Sequence, residues 1–209
     1  EGSDEIVFSI GKHPRIEKIV LEIFAKQLEN RSRVGIGANS IQSPERFLNE
    51  MRLIKSEFEI NRMREAIQIS AEAHELVRES ILLKNNERQI QGLIEGFFLE
   101  KGARGPAYNS IVASGDNACV LHYTSNNSPL NKRDLLLVDA GCSLTDYYNG
   151  DITRTIPIGG KFSKEQKFIY EIVLDAQKNA IESAVIGSNS CNVHNVALKI
   201  LVEGLKEIG

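Results

Sequence analysis

Cysteine is scarce in this sequence, and the little there is does not pair up. Cys119, Cys142 and Cys191 are odd in number, far apart and without a CxxC spacing. That argues against a disulfide framework or a zinc knuckle and fits a reducing cytoplasm. Charge of one sign is also missing: 25 Lys and Arg stand against 28 Asp and Glu, a net −3. A nucleic-acid surface would show a basic stripe, and none is visible. No apolar run approaches the roughly 18 residues of a membrane span. The opening Glu1-Gly2-Ser3-Asp4-Glu5 has neither the basic nor the apolar region of a signal peptide. Repeats and low-complexity segments are absent. What remains is an ordinary soluble composition, 42% hydrophobic and 25% charged over 209 residues, enough for one large domain or two small ones.

Periodicity divides the chain. Residues 5–10 and Val34 to Gly37 read as short strands around a helical pattern over 14–30, a small α/β piece. Ser56 with Glu59 forms a capping-box pattern and opens a predicted helix over 57–82, with Ile60, Met63, Ile67, His74, Val77 and Ile81 at helical spacing. A second helix runs from Asn86 to just before Gly102, a suitable helix terminator. Strands are expected within 109–124, at Leu135 to Val138 and over Tyr147 to Ile158. Ser163 with Gln166 caps a third helix to about Ala184, and Cys191 to Ile208 forms a fourth. The order α-α-β-β-β-α-α implies an α+β fold, an antiparallel sheet with helices on one face. A domain boundary is expected near 50–56, with Met51-Arg52-Leu53-Ile54-Lys55 leading into the second part.

Two carboxylates carry the strongest chemical signal. Asp139 ends the apolar run Leu135-Leu136-Leu137-Val138, and Asp151 follows twelve positions later in Asn149-Gly150-Asp151-Ile152-Thr153-Arg154-Thr155. If the two strands form a hairpin centred on Thr145, Asp139 faces Asp151 on one side of the sheet. Opposed like charges need a cation or a shared proton. Oxygen ligands alone suit hard or borderline ions such as Mn²⁺, Mg²⁺ or Ca²⁺. From spacing alone a turn aspartate, a capping aspartate and an acid–base dyad also remain open. Gly35-Ile36-Gly37-Ala38-Asn39-Ser40 lacks the third glycine of a dinucleotide fingerprint, and Gly159-Gly160-Lys161 lacks the spacing of a phosphate loop.

Asp139-Ala140-Gly141 followed by Gly150-Asp151-Ile152-Thr153-Arg154-Thr155 resembles the first metal-binding hairpin of the pita-bread metallopeptidases. Leu121-His122-Tyr123-Thr124 is similar to the active-site histidine segment of the aminopeptidase P group. Ala107-Tyr108-Asn109-Ser110-Ile111-Val112 resembles the strand before it, and Gly160-Lys161-Phe162-Ser163 the turn opening the next helix. The matches keep their order over about 51–185. The resemblance implies the first half of a pita-bread domain over 51–209, preceded by a remnant of an α/β N-terminal domain over 1–50. It implies two divalent metal ions, Mn²⁺ first with Co²⁺ or Zn²⁺ as alternatives. Asp139 would bind one ion and Asp151 would bridge both, with Thr153 and Tyr108 hydrogen-bonded to the bridging carboxylate. His122 would donate a hydrogen bond near the scissile peptide.

The activity implied is removal of the residue before a penultimate proline, from a peptide substrate. A prolidase cutting Xaa-Pro dipeptides and a non-catalytic protein-binding module are the alternatives. A creatinase-like, metal-free chemistry is disfavoured by the two aspartates. The family's site takes five ligands, and three of them (one histidine and two glutamates) come from a second half that this sequence does not resemble. The chain is therefore expected to be inactive alone and to bind metal weakly. Its uncovered apolar surface is expected to favour a homo-oligomer. Neither nucleic acid nor membrane is expected as a partner. His13, His74 and His194 have no ligand-like neighbours in sequence, and Cys142 reads as a small apolar filler.

Overall fold

The computed structural model describes residues 5–208, and its contacts divide into two units, 1–61 and 62–209. In the first unit, β1 (Glu5–Val7) pairs in parallel with β2 (Ser40–Gln42), and α1 (Pro14–Val34) is the crossover between them. Pro14 opens α1, where a missing N–H costs nothing. Gly35 closes it in the left-handed region (φ 74°), its N–H bonded to the Arg31 carbonyl. That cap overturns the strand expected over Val34 to Gly37: the helix consumes Val34, and the strand starts only at Ser40. A further helix, α2 (Glu45–Leu53), takes up Met51 to Leu53, the start of the run expected to lead into the second part.

Helix α3 (Glu57–Ser80) begins as expected, with Ser56 and Glu59 bonded reciprocally. In the second unit, α3 and α4 (Glu87–Glu100) cover one face of an antiparallel sheet. The sheet order is β4 (Ile111–Ser114), β5 (Leu135–Asp139), β7 (Thr153–Pro157). A short pair, β3 (Gly105–Pro106) with β6 (Cys142–Ser143), extends the hairpin beyond β5. Val112, Leu136, Val138 and Ile156 point into a core formed with Ala66, Ile69, Ala73, Val77, Ile90, Ile94 and Phe98. The buried stripe of α3 runs through Ala66, Ile69 and Ala73, while Ile67 is 47% exposed. Small residues hold the true face because the hairpin backbone comes close to them.

Helix α5 (Lys164–Ser183) carries the expected capping box of Ser163 and Gln166. It packs on α6 (Ser190–Lys206), where Gly204 leaves room for Ile172. Of these two helices only Ala176 is buried. Among the described residues, no helix is long and apolar enough to cross a membrane.

Candidate functional site

Between Asp139 and Asp151 the chain makes a hairpin pinched by two glycines. A Cβ on Gly141 would fall on the Gly150 backbone, and one on Gly150 would meet Ser70 Oγ and the Ala66 carbonyl of α3. Only glycine fits at both points. Helix α3 then pins the pinch with side chains four residues apart. Ser70 Oγ donates to the Ala66 carbonyl at 2.7 Å and accepts from Cys142 N at 3.0 Å. One turn on, His74 Nε2 lies 3.0 Å from the Ala140 carbonyl.

The hairpin is not centred on Thr145. Its tip is Thr145-Asp146-Tyr147: Leu144 N donates to the Tyr148 carbonyl at 2.9 Å, and Tyr147 N to the Leu144 carbonyl at 3.0 Å. Tyr147 sits in the left-handed region (φ 68°), the residue that turns a tight turn into a three-residue loop. Its ring lies under the Arg104 guanidinium, 4.5 Å away, and Arg62 grips Asp146 with two N–H groups at 2.6 and 3.1 Å. The register moves accordingly. Asp139 pairs with Thr153, and Asp151 lies just past the end of the β5–β7 ladder.

The two carboxylates still converge. The Tyr108 hydroxyl stands 2.6 Å from Asp139 Oδ1 and 2.9 Å from Asp151 Oδ1, so the two acid oxygens are no further apart than those distances laid end to end. One hydroxyl has one proton, so it satisfies one carboxylate and turns a lone pair toward the other. Among the described residues, neither aspartate has an ion-pair partner. Burial, then the hydrogen bonds to Asp139 and Asp151, push the Tyr108 pKa far up, which keeps the phenol protonated. Two acids, one proton and no side-chain cation form an oxygen-lined spot that fits a divalent ion. Among the described residues, no group of three or more His, Cys, Asp or Glu could hold a metal ion. Thr153, the register partner of Asp139, is exposed on the same face of the sheet.

His122 is not on a strand. Strand β4 ends at Ser114, a short 3₁₀ turn covers Gly115–Cys119, and His122 follows on an exposed turn with φ 55°. It makes no hydrogen bond among the described residues, and the structure does not bring it into contact with the aspartates.

The model of metallopeptidase family M24 matches residues 61–208. The chain belongs to that family. Among its M24 relatives, the Xaa-Pro aminopeptidase of Haemophilus influenzae is 48% identical over 162 residues, 78% of this chain and 37% of that protein. The Xaa-Pro aminopeptidase of Escherichia coli is 37% identical over all 209 residues, 47% of its own length. A zinc-substituted E. coli aminopeptidase P in complex with product superposes with a TM-score of 0.89 at 35% identity, over 100% of this chain and 47% of that one. The M24 chain thus spans half or less of the length of these relatives, and it has the open antiparallel sheet and flanking helices of the aminopeptidase P, or pita-bread, fold.

Two buried residues, one behind this M24 hairpin and one at the start of α4, escaped the sequence reading. His74 is 4% exposed, and its Nδ1 is buried without a partner. Burial lowers its pKa, only partly offset by the Ala140 and Ile152 carbonyls, so it acts as a neutral donor behind the carboxylate strand. The available signal was its spacing, four residues after Ser70 and eight after Ala66. Glu87 is fully buried, although nothing in its surroundings in sequence marks it. Cys142 is a buried filler as expected: its thiol contacts the Ala66 carbonyl at 3.4 Å, and burial raises its pKa.

Proposed function

We propose that this chain is the first half of the catalytic domain of a two-metal Xaa-Pro aminopeptidase, preceded by a remnant of an N-terminal domain over residues 1–50. The observation that carries the reading is the Tyr108 hydroxyl within hydrogen-bonding reach of both Asp139 and Asp151, which draws two acids together at the end of the β5–β7 ladder. The similarity to Xaa-Pro aminopeptidases along the chain supports the substrate class.

Asp139 and Asp151 would be the residues of this chain that hold the metal pair. When bound, the ions would supply hydroxide at neutral pH and polarise the peptide carbonyl. Mn²⁺ is the proposed ion, and zinc in the E. coli relative supports Zn²⁺ as a substitute. Tyr108 orients the carboxylates through its hydroxyl, and Thr153, beside Asp139 in the ladder, would add a second partner once an ion is bound. His122, exposed and free of hydrogen bonds among the described residues, donates to the substrate and stabilises charge that develops on its carbonyl oxygen. Three free thiols fit a reducing compartment, and the cytoplasm is the proposed location.

Hydrolysis of Xaa-Pro-Yaa peptides, with and without Mn²⁺, tests the reading on protein carrying the full length of its relatives. Metal-dependent release of the first residue is expected, and the 209-residue chain should show none. Cleavage restricted to Xaa-Pro dipeptides would make the protein a prolidase. No hydrolysis in the full-length protein would leave the binding module.

A further inference from the structure

The segment that presents His122 is organised around one buried acid from a different part of the chain. Glu87 is the first residue of α4 and has no exposed surface. Its Oε1 accepts from Ser114 N at 2.8 Å, Ser114 Oγ at 2.7 Å and Asn117 Nδ2 at 3.0 Å. Its Oε2 accepts from Tyr123 Oη at 2.8 Å and Ser128 N at 2.9 Å. All these partners are neutral donors, and all come from 114–128, the stretch that begins at the end of β4 and contains His122. Asn117 also ties Ser128 to Tyr123. Asn126, buried at φ 46°, accepts from Val112 N and donates to the Ser110 carbonyl.

A buried carboxylate without a cation is costly unless its lone pairs are filled, and here they are. Desolvation pushes the Glu87 pKa up, but hydrogen bonds from Asn117, Ser128 and Ser114 outweigh it and leave the acid below its ordinary value. Glutamine could not replace it, because its amide NH₂ would turn donors against donors. Every anchor lies on one side or the other of His122, and Tyr123 is its immediate neighbour. The histidine itself is left exposed, with no hydrogen bond among the described residues.

We propose that Glu87 is the positioning residue for His122: its carboxylate gathers the 114–128 segment into the one shape that projects the imidazole toward substrate. The role given to His122 rests on the peptidase reading, whereas the gathering of the segment does not.

Hydrogen exchange on the 209-residue chain tests the gathering directly. Glu87→Gln should speed exchange over 116–126 by about tenfold or more while β5 and β7 stay protected. Tyr123→Phe, which removes one donor and keeps the ring, should give a smaller rise in the same stretch. Exchange that is unchanged in both variants, or that rises evenly through the sheet, would overturn the proposal. If Glu87→Gln does not fold, the Tyr123→Phe pattern decides. In full-length protein, Glu87→Gln and His122→Ala should be non-additive in kcat/KM, the double variant being no slower than His122→Ala. Additive losses would overturn it. Should the full-length wild type lack peptidase activity, the fault lies with the function assigned, and the exchange pattern alone decides the positioning.

Discussion

The carboxylate hairpin and the His122 segment are held in shape by opposite means. The hairpin is held by what is absent from it: Gly141 and Gly150 have no side chains, and the space is filled at Gly141 by the Gly150 backbone and at Gly150 by Ser70 and Ala66. The segment is held by side chains, with Glu87 accepting from both its ends. Steric exclusion is short-ranged and unforgiving, whereas a hydrogen-bonded hub tolerates loss of one spoke and responds to protonation. The two regions should therefore fail differently.

The largest effect is expected at the pinch. Gly141→Ala sets a methyl group on the Gly150 backbone, and neither strand can retreat without breaking the ladder. A loss of about 3 kcal/mol or more in urea unfolding is expected, at or above the upper end for overpacking; a loss under about 1 kcal/mol would show that the pinch is soft. Ser70→Ala, beside it, leaves Cys142 N without its acceptor and should cost about 1–3 kcal/mol.

The hub should instead show a pH signature. The Glu87 acid lies below its unfolded value of 4.5. Its contribution is therefore complete above 4.5 and is lost as the pH falls through the folded value. The stability gap between wild type and Glu87→Gln should stay constant near neutrality and narrow as the pH drops below 4.5 and through the lowered folded value. A gap that persists unchanged into acid would remove the carboxylate from the account. The smallest effect belongs to the hairpin tip, where Arg62 and Asp146 are both partly solvated. Arg62→Ala should change stability by about 0–1 kcal/mol, read from the same unfolding curves.

The contrast also explains what could be read from sequence. Asp139, Gly141, Gly150 and Asp151 lie within thirteen consecutive positions, so their geometry is local and their order on the chain carries it. The register was missed by a residue at the turn because a tyrosine in the left-handed region is not a turn signal. His74 and Glu87 lie 66 and 27 residues from the backbone groups they bind, and no local pattern ties them to those partners. The strand at Val34 failed for a plainer reason, since Gly35 read as part of a strand was the cap of a helix.

Mn²⁺ titration of the 209-residue chain, followed by electron paramagnetic resonance of the free ion, bears most directly on the convergence of Asp139 and Asp151. The account predicts weak uptake of the ion that Asp139→Asn and Asp151→Asn each abolish, with Asp146→Asn, at the hairpin tip, behaving as wild type. Uptake that survives loss of either aspartate would contradict it.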